Sequence, residues 1–278
     1  MKKTLILLLL LSSPLIADLK MGQLTLPLLE KLEQGLFAYY NPHTQTLFHQ
    51  GKFFHLLTGS AGHLSEKPWI SIGSFPRARE VISLDPDNSP TLEEGYRRLL
   101  NYLQENARSL QDVLETTASY IRHELFSPPL CGEKKVADFI KQWVFQNGRP
   151  RTDFTLTTEA ELFPVVPLED FVRAKSGVCR HLALVFAYFF DKLQKEGSLA
   201  HLLPQGACYL VRDDIPVRGE SGHHAWNLFV SNDKSQIWHI DSTWEVIKNF
   251  STDRTILNRL YSQEVISREI KRYSLSSL

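Results

Sequence analysis

The sequence predicts an α+β fold, and three observations carry that reading. Apolar residues recur at three-to-four spacing over residues 91–125 and again over 134–145, the period of helices with one buried face. Residues 178–196 are apolar for most of their length and stop at Gly197, which reads as a long core helix. Three runs with strand character follow, at 207–212, 224–230 and 236–241. Helices first and consecutive strands afterwards favour an antiparallel sheet with helices laid against it.

Each element has its own justification. Met1-Lys2-Lys3, an apolar run from Leu5 to Leu11, and Ala17 after Ser12-Ser13-Pro14 fit a secretory signal peptide over residues 1–17. Its apolar run is shorter than the ~20 residues needed to span a bilayer. Cleavage after Ala17 leaves 261 residues, with 29 basic and 31 acidic side chains, and predicts an exported, periplasmic or secreted protein. No later stretch is long and apolar enough to span a membrane. Leu28, Leu29, Leu32 and Leu36 predict a helix over 26–36, and short strands are expected at 53–57 and 69–72. Asp85-Pro-Asp-Asn-Ser-Pro90 is a turn and the expected boundary region. An N-terminal region of unassigned role (18–105) is expected to precede a second domain (106–278) that holds the candidate chemistry described below. Residues 91–125 predict two helices ended by Pro128-Pro129, and 134–145 one more, closed by Asn147-Gly148. Residues 149–167, with three prolines, read as a loop, followed by a short helix ending in Lys175-Ser176-Gly177. A polar loop is expected over 213–222.

Composition removes several classes of function. The 278 residues hold 31 basic and 31 acidic side chains, a balance that gives no general basic surface for nucleic acid. There is no glycine-rich phosphate loop, so no nucleotide or other cofactor is expected. Cys179, Cys208, His181, His223 and His224 are the metal-ligating types, but no CxxC or HExxH spacing joins them, and no metal is expected.

The remaining chemistry converges on Cys179. It follows Gly177-Val178 at the start of the apolar helix, where free N–H groups and the helix dipole favour a thiolate. Arg180 adds positive charge if it turns the same way. Taken alone, a buried structural cysteine is the commoner occupant of such a helix. His224 opens the second strand and titrates in the range a thiol nucleophile needs. Asp241 closes the third strand, where a carboxylate would orient the imidazole. If Asn232-Asp233 form a two-residue turn, Ser231 faces Lys234 and His224 faces Asp241 directly across the hairpin. His223 points to the opposite strand face by alternation, so His224 is preferred. His239 shares the face of Asp241 and sits opposite Trp226 in that register. His181 and His239 read as surface or satisfied core residues.

Gly177-Val-Cys-Arg-His-Leu-Ala183 resembles the nucleophile segment of the transglutaminase-like superfamily. His224-Ala-Trp-Asn-Leu228 resembles its histidine strand, and Asp241-Ser-Thr-Trp244 its aspartate segment, in the family's order. The resemblance covers roughly residues 110–250. It implies a papain-like core, with the cysteine helix packed on an antiparallel sheet carrying histidine and aspartate. It also implies acyl transfer through a thioester on a protein or peptide substrate, with Cys179, His224 and Asp241 as catalytic residues. The Cys179 backbone N–H would serve as oxyanion donor. Related enzymes also carry a tryptophan or glutamine upstream, here Trp143 or Gln142; packing is the stronger reading of Trp143. Hydrolysis is the preferred outcome, since water is the default acceptor; glutamine transamidation or deamidation is the alternative. A catalytically silent binding module is the alternative of another class. Loops 149–176 and 213–222 are expected to shape the cleft. With Cys179 as the free thiol, Cys131 and Cys208 are left as a disulfide pair to be tested by distance.

Overall fold

The helices form where apolar spacing and end signals agree. The computed structural model describes residues 37–41, 46–49, 52–55, 62–63, 69–72, 81–85, 88–126, 132–148, 162–217 and 220–249. The expected leader, the 26–36 helix and Cys131 lie outside them. Helix α1 (Pro90–Asn106) starts on a proline whose missing N–H costs nothing in a first turn, and it buries Leu92, Tyr96, Leu99 and Leu103. The turn ahead of it is closed by the Asn88 N–H on the Asp85 carbonyl at 3.2 Å. Helix α2 (Leu110–Tyr120) is capped by Ser109, whose hydroxyl accepts the Asp112 N–H at 3.1 Å. It runs into one π-helical turn, Ile121–Leu125, closed by the Phe126 N–H on the Ile121 carbonyl. Helix α3 (Glu133–Gly148) buries Val136, Ile140 and Val144 along one stripe.

Helix α4 (Leu168–Arg173) leads through Ser176 and Gly177 into helix α5 (Cys179–Glu196). α5 ends at Gly197, whose φ of +69° places it in the left-handed region that glycine enters without strain. Every residue from Arg180 to Phe190 is buried, because α5 lies between the sheet on one side and α2, α4 and the π-turn on the others. A helix apolar nearly all round is central by necessity.

The strands form two sheets. Strands β8 (Gly206–Val217), β9 (Glu220–Ser231), β10 (Ile237–Asp241) and β11 (Val246–Asn249) form an antiparallel meander. The short β4 (Gly62–His63) pairs with β8 and extends that sheet. The other sheet has the order β3-β2-β1-β7-β6-β5. Its strands are β1 (Phe37–Asn41), β2 (Thr46–His49), β3 (Lys52–His55), β5 (Trp69–Ile72), β6 (Val81–Leu84) and β7 (Leu162–Pro167). β6 and β7 are its parallel pair. The architecture is therefore mixed α+β with an antiparallel sheet against a central helix, as the sequence predicts. Ile82 and Leu84 of β6 join the same buried core as α1 and α5, so packing runs across the 85–90 turn.

Two expected loops are strands. Residues 162–167 form β7, although Pro164 and Pro167 suggested irregular backbone. Pro164, Val165 and Val166 are buried, and burial outweighs the two missing donors. The polar stretch 213–222 is largely a continuation of β8 and β9, which pair from Gly206↔Ser231 out to Val217↔Glu220. Polarity there reports side-chain chemistry, whereas the ladder is made by main-chain groups.

The sheet and α5 are aligned by one buried polar side chain. Asn227, wholly buried on β9, donates from Nδ2 to the Ala183 carbonyl of α5 at 2.9 Å and to the Tyr209 carbonyl of β8 at 3.4 Å. Below it, Phe229 meets Phe190 edge-on at 5.0 Å.

Candidate active site

The site sits where the first turn of α5 meets β9 at His224. Cys179 is the first residue of α5 and is half-buried there. The entry into α5 is tight: a Cβ on Gly177 would lie 2.4 Å from the Phe126 ring. Gly177→Ala is expected to displace Phe126, with a cost of about 1–3 kcal/mol as overpacking. The loss should appear as a lower melting temperature, and Gly177→Ala with Phe126→Leu should regain part of it.

The Val178 N–H at this entry is taken by His181 Nδ1 at 3.2 Å. His181 is fully buried and its ring lies 4.2 Å from that of Phe171. It is a capping and packing residue of the helix start.

His224 and Asp241 meet across the β9–β10 hairpin, but not in the expected register. Ile240 pairs with Asn227 and Trp238 with Phe229, two residues displaced from the expected alignment. The turn is longer than two residues: Ser231 N–H reaches the Gln236 carbonyl at 3.0 Å, and Lys234 has a φ of +60°. His239 consequently pairs with Leu228, not Trp226. A displacement of two preserves strand parity, so His224 and Asp241 still share a face and meet diagonally. His224 Nε2 lies 2.6 Å from Asp241 Oδ2. Asp241 is fully buried, and its Oδ1 accepts the N–H groups of Thr243 at 2.9 Å and Trp244 at 3.1 Å. The carboxylate is thus fixed by the turn that follows it.

With Nε2 committed to Asp241, the other ring nitrogen serves the hydrogen bond that His224 makes with Cys179. Burial by itself would raise the Cys179 thiol, but the His224 hydrogen bond and charge, with Arg180 and the Ala225 N–H, outweigh it and hold the thiol below its ordinary range. Burial would lower His224, and the charge of Asp241, its hydrogen bond and the contact with Cys179 push the imidazole well above its ordinary range. The Cys179–His224 contact enters both shifts, while Asp241 leads the rise of His224, so the two groups titrate as a coupled pair.

Aromatic rings line the imidazole. Trp244 stacks on it at 4.0 Å between centroids and 13° between planes, and Trp226 lies 5.8 Å away. His239, 5.9 Å from Trp226, is buried and lowered to about 4, first by desolvation, so it is neutral at physiological pH. It cannot substitute for His224 as the charged partner. The backbone of His223 pairs with Asp214; its side chain lies outside the described residues.

Trp143 Nε1 donates to Asp170 Oδ2 at 2.8 Å, tying α3 to α4, the packing role preferred for it from the sequence. Gln142 is exposed on α3. Cys208 is a free thiol, buried within the core and raised by desolvation, and its suggested partner Cys131 lies outside the described residues. Its side chain faces the apolar interior against α5, where a small apolar residue packs well. Among the described residues no cluster of His, Cys, Asp or Glu is arranged to hold a metal ion, and no helix is long and apolar enough to cross a membrane.

Sequence reasoning overlooked the parts that position the triad. Asn227 and Trp244 lay inside the singled-out segments without a role. The polar residue in an otherwise apolar strand was the available signal for Asn227. Comparison with protein-family models, curated proteins and solved structures returns no match.

Proposed function

We propose that the chain is a cysteine-dependent acyl-transfer enzyme of the transglutaminase-like class, with a papain-like core, that hydrolyses protein or peptide amides. One observation carries the reading: His224 is held by Asp241 at 2.6 Å and hydrogen-bonds the Cys179 thiol at a helix N-terminus. A nucleophile, its proton partner and an orienting carboxylate are the parts covalent acyl transfer requires.

In this mechanism the Cys179 thiolate adds to the amide carbonyl, forming a carbon–sulfur bond and a tetrahedral oxyanion. The Cys179 backbone N–H faces that oxyanion as a donor. His224 gives its proton to the departing nitrogen as the carbon–nitrogen bond breaks, leaving a thioester. Water then adds with His224 as base, and the acid departs as the thiolate returns. Asp241 keeps the imidazole in the orientation both steps need. The leader expected over residues 1–17 supports an exported setting for this activity, where polypeptide substrates are available.

Mass spectrometry of a peptide library exposed to wild type and to Cys179→Ala tests the reading. Chain cleavage by wild type alone is the expected outcome. A deamidated glutamine would move the chemistry to side-chain amides with water still the acceptor, and an amine adduct would make an amine the acceptor. Unchanged peptides, with Cys179 alkylated no faster than a free small-molecule thiol, would leave a binding module.

A further inference from the structure

The turn after Asp241 carries a second set of contacts that the triad does not explain. Trp244 is stacked on the His224 imidazole, and the next residue, Glu245, has a φ of +54°, in the left-handed region that a glutamate seldom adopts. Such a conformation persists where neighbours over-determine it. Here the neighbours come from the π-helical turn 121–125. His123 Nε2 lies 2.9 Å from Glu245 Oε1, and Arg122 Nε lies 3.5 Å from Oε2. A π-turn inside a helical segment re-aims side chains by one residue, and such turns are frequent at functional sites. Arg122 and His123 are thereby brought to one carboxylate. The hydroxyls of Ser242 and Thr243 find no partner among the described residues. The turn is held instead by the Asp241 carboxylate at its start and by the Glu245 clamp at its end.

We propose that Glu245, clamped by Arg122 and His123, is a positioning residue that seats Trp244 against the His224 imidazole and so favours the charged Cys179–His224 pair. This deepens the thiol-enzyme reading and rests on it for its biological meaning. The physical basis is local. An imidazolium gains from the face of an indole that a neutral imidazole does not, because the ring quadrupole attracts a cation. Trp244 also covers the imidazole side of the His224–Asp241 bond with an apolar plate. Neither effect survives if the turn swings away, and the clamp joins the turn to the π-turn beside the packing of α2 on β10 and β11. His123, Arg122 and Glu245 touch no reacting atom, so their influence passes through Trp244.

The test is the pH profile of Cys179 alkylation by iodoacetamide, read by mass spectrometry at that residue. Trp244→Ala and Glu245→Gly are expected to move the acidic limb to higher pH and to slow labelling at pH 6 by roughly three- to thirtyfold, the scale of one cation–π contact. Trp244→Phe, which keeps a ring face, should restore most of the wild-type profile. Glycine at 245 accepts the positive φ, so Glu245→Gly removes the carboxylate without adding strain. The pair Arg122→Ala with His123→Ala removes the clamp from the helix side, at partly exposed positions, and should reproduce the shift. A limb that stays in place in both Glu245→Gly and the Arg122/His123 variant overturns the inference. So does an equal fall at every pH, which is what general loosening would give. Should the variants shift the limb while wild type leaves peptide amides intact, the positioning role stands and the acyl-transfer reading falls. Peptide cleavage by wild type with coincident limbs in all variants gives the converse.

Discussion

His224→Ala is expected to lower peptide-amide turnover by on the order of 10²–10⁴, the range for losing a positioned proton-transfer group. It should also slow alkylation of Cys179 below neutral pH. The thiol lies below its ordinary range chiefly because of the His224 hydrogen bond and charge, and removing them leaves only Arg180 and the Ala225 N–H against burial, so the thiol rises. The wild-type profile should therefore extend into acid further than that of an ordinary thiol. Turnover should follow a bell. Its acidic limb is formation of the thiolate–imidazolium pair. Its basic limb, where His224 gives up the proton needed by the leaving group, lies above the ordinary imidazole range because Asp241 raises that group. Cys179→Ala should reach the same floor, and the double variant should be no slower, since the two act as one unit. Asp241→Ala should shift both limbs, because it removes the cause of the raised imidazole. An alkylation profile for His224→Ala that overlays wild type would show that the thiol is not activated by this histidine.

The second large effect is expected at a residue that touches no substrate. Asn227→Asp puts a carboxyl where Nδ2 now donates to the Ala183 and Tyr209 carbonyls, in a wholly buried position. At neutral pH the introduced group faces two carbonyl oxygens with no proton to offer. The expected cost is on the order of 2–4 kcal/mol, the scale of a buried polar group without its partner. The sign with pH is definite. Burial among acceptors raises the carboxyl in the folded state above its unfolded value, so the penalty is absent below the unfolded range and grows as pH rises. Denaturant midpoints of variant and wild type should converge in acid and separate toward neutral pH. Because the Ala183 bond ties the first turns of α5 to β9, alkylation of Cys179 should slow as well. A constant difference in midpoint from pH 4 to pH 8 would argue against the assigned donor geometry.

Much of the fold was legible because it is periodic. Helices α1, α2, α3 and α5 bury one stripe or every side, and their ends are marked by Pro90, Ser109, Gly148 and Gly197. Such signals are local, so the sequence shows them directly. What escaped it depends on partners distant in sequence. β7 contains two prolines and reads as loop until β6 and β1 flank it. The β8–β9 arm beyond Arg212 is polar and reads as loop until Val217 and Glu220 close the ladder. The β9–β10 turn was read as two residues, whereas Ser231 and Gln236 enclose four. That error left the candidate site intact because both alignments keep the same parity, so His224 and Asp241 stay on one face.

The sequence by itself determined which residue types could do chemistry and roughly where. It supplied a cysteine at a helix start, a histidine at a strand start and an aspartate at a strand end, since helix and strand periods are set by local backbone geometry. Only the tertiary structure decided how they are held. The Asn227 bond across to α5, the stacking of Trp244 on His224, and the Glu245 clamp on the π-turn each join segments that local periodicity does not relate. Charge states belong to the same category. Whether Cys179 is lowered or Cys208 raised depends on which groups surround each sulfur, and packing alone brings those groups together.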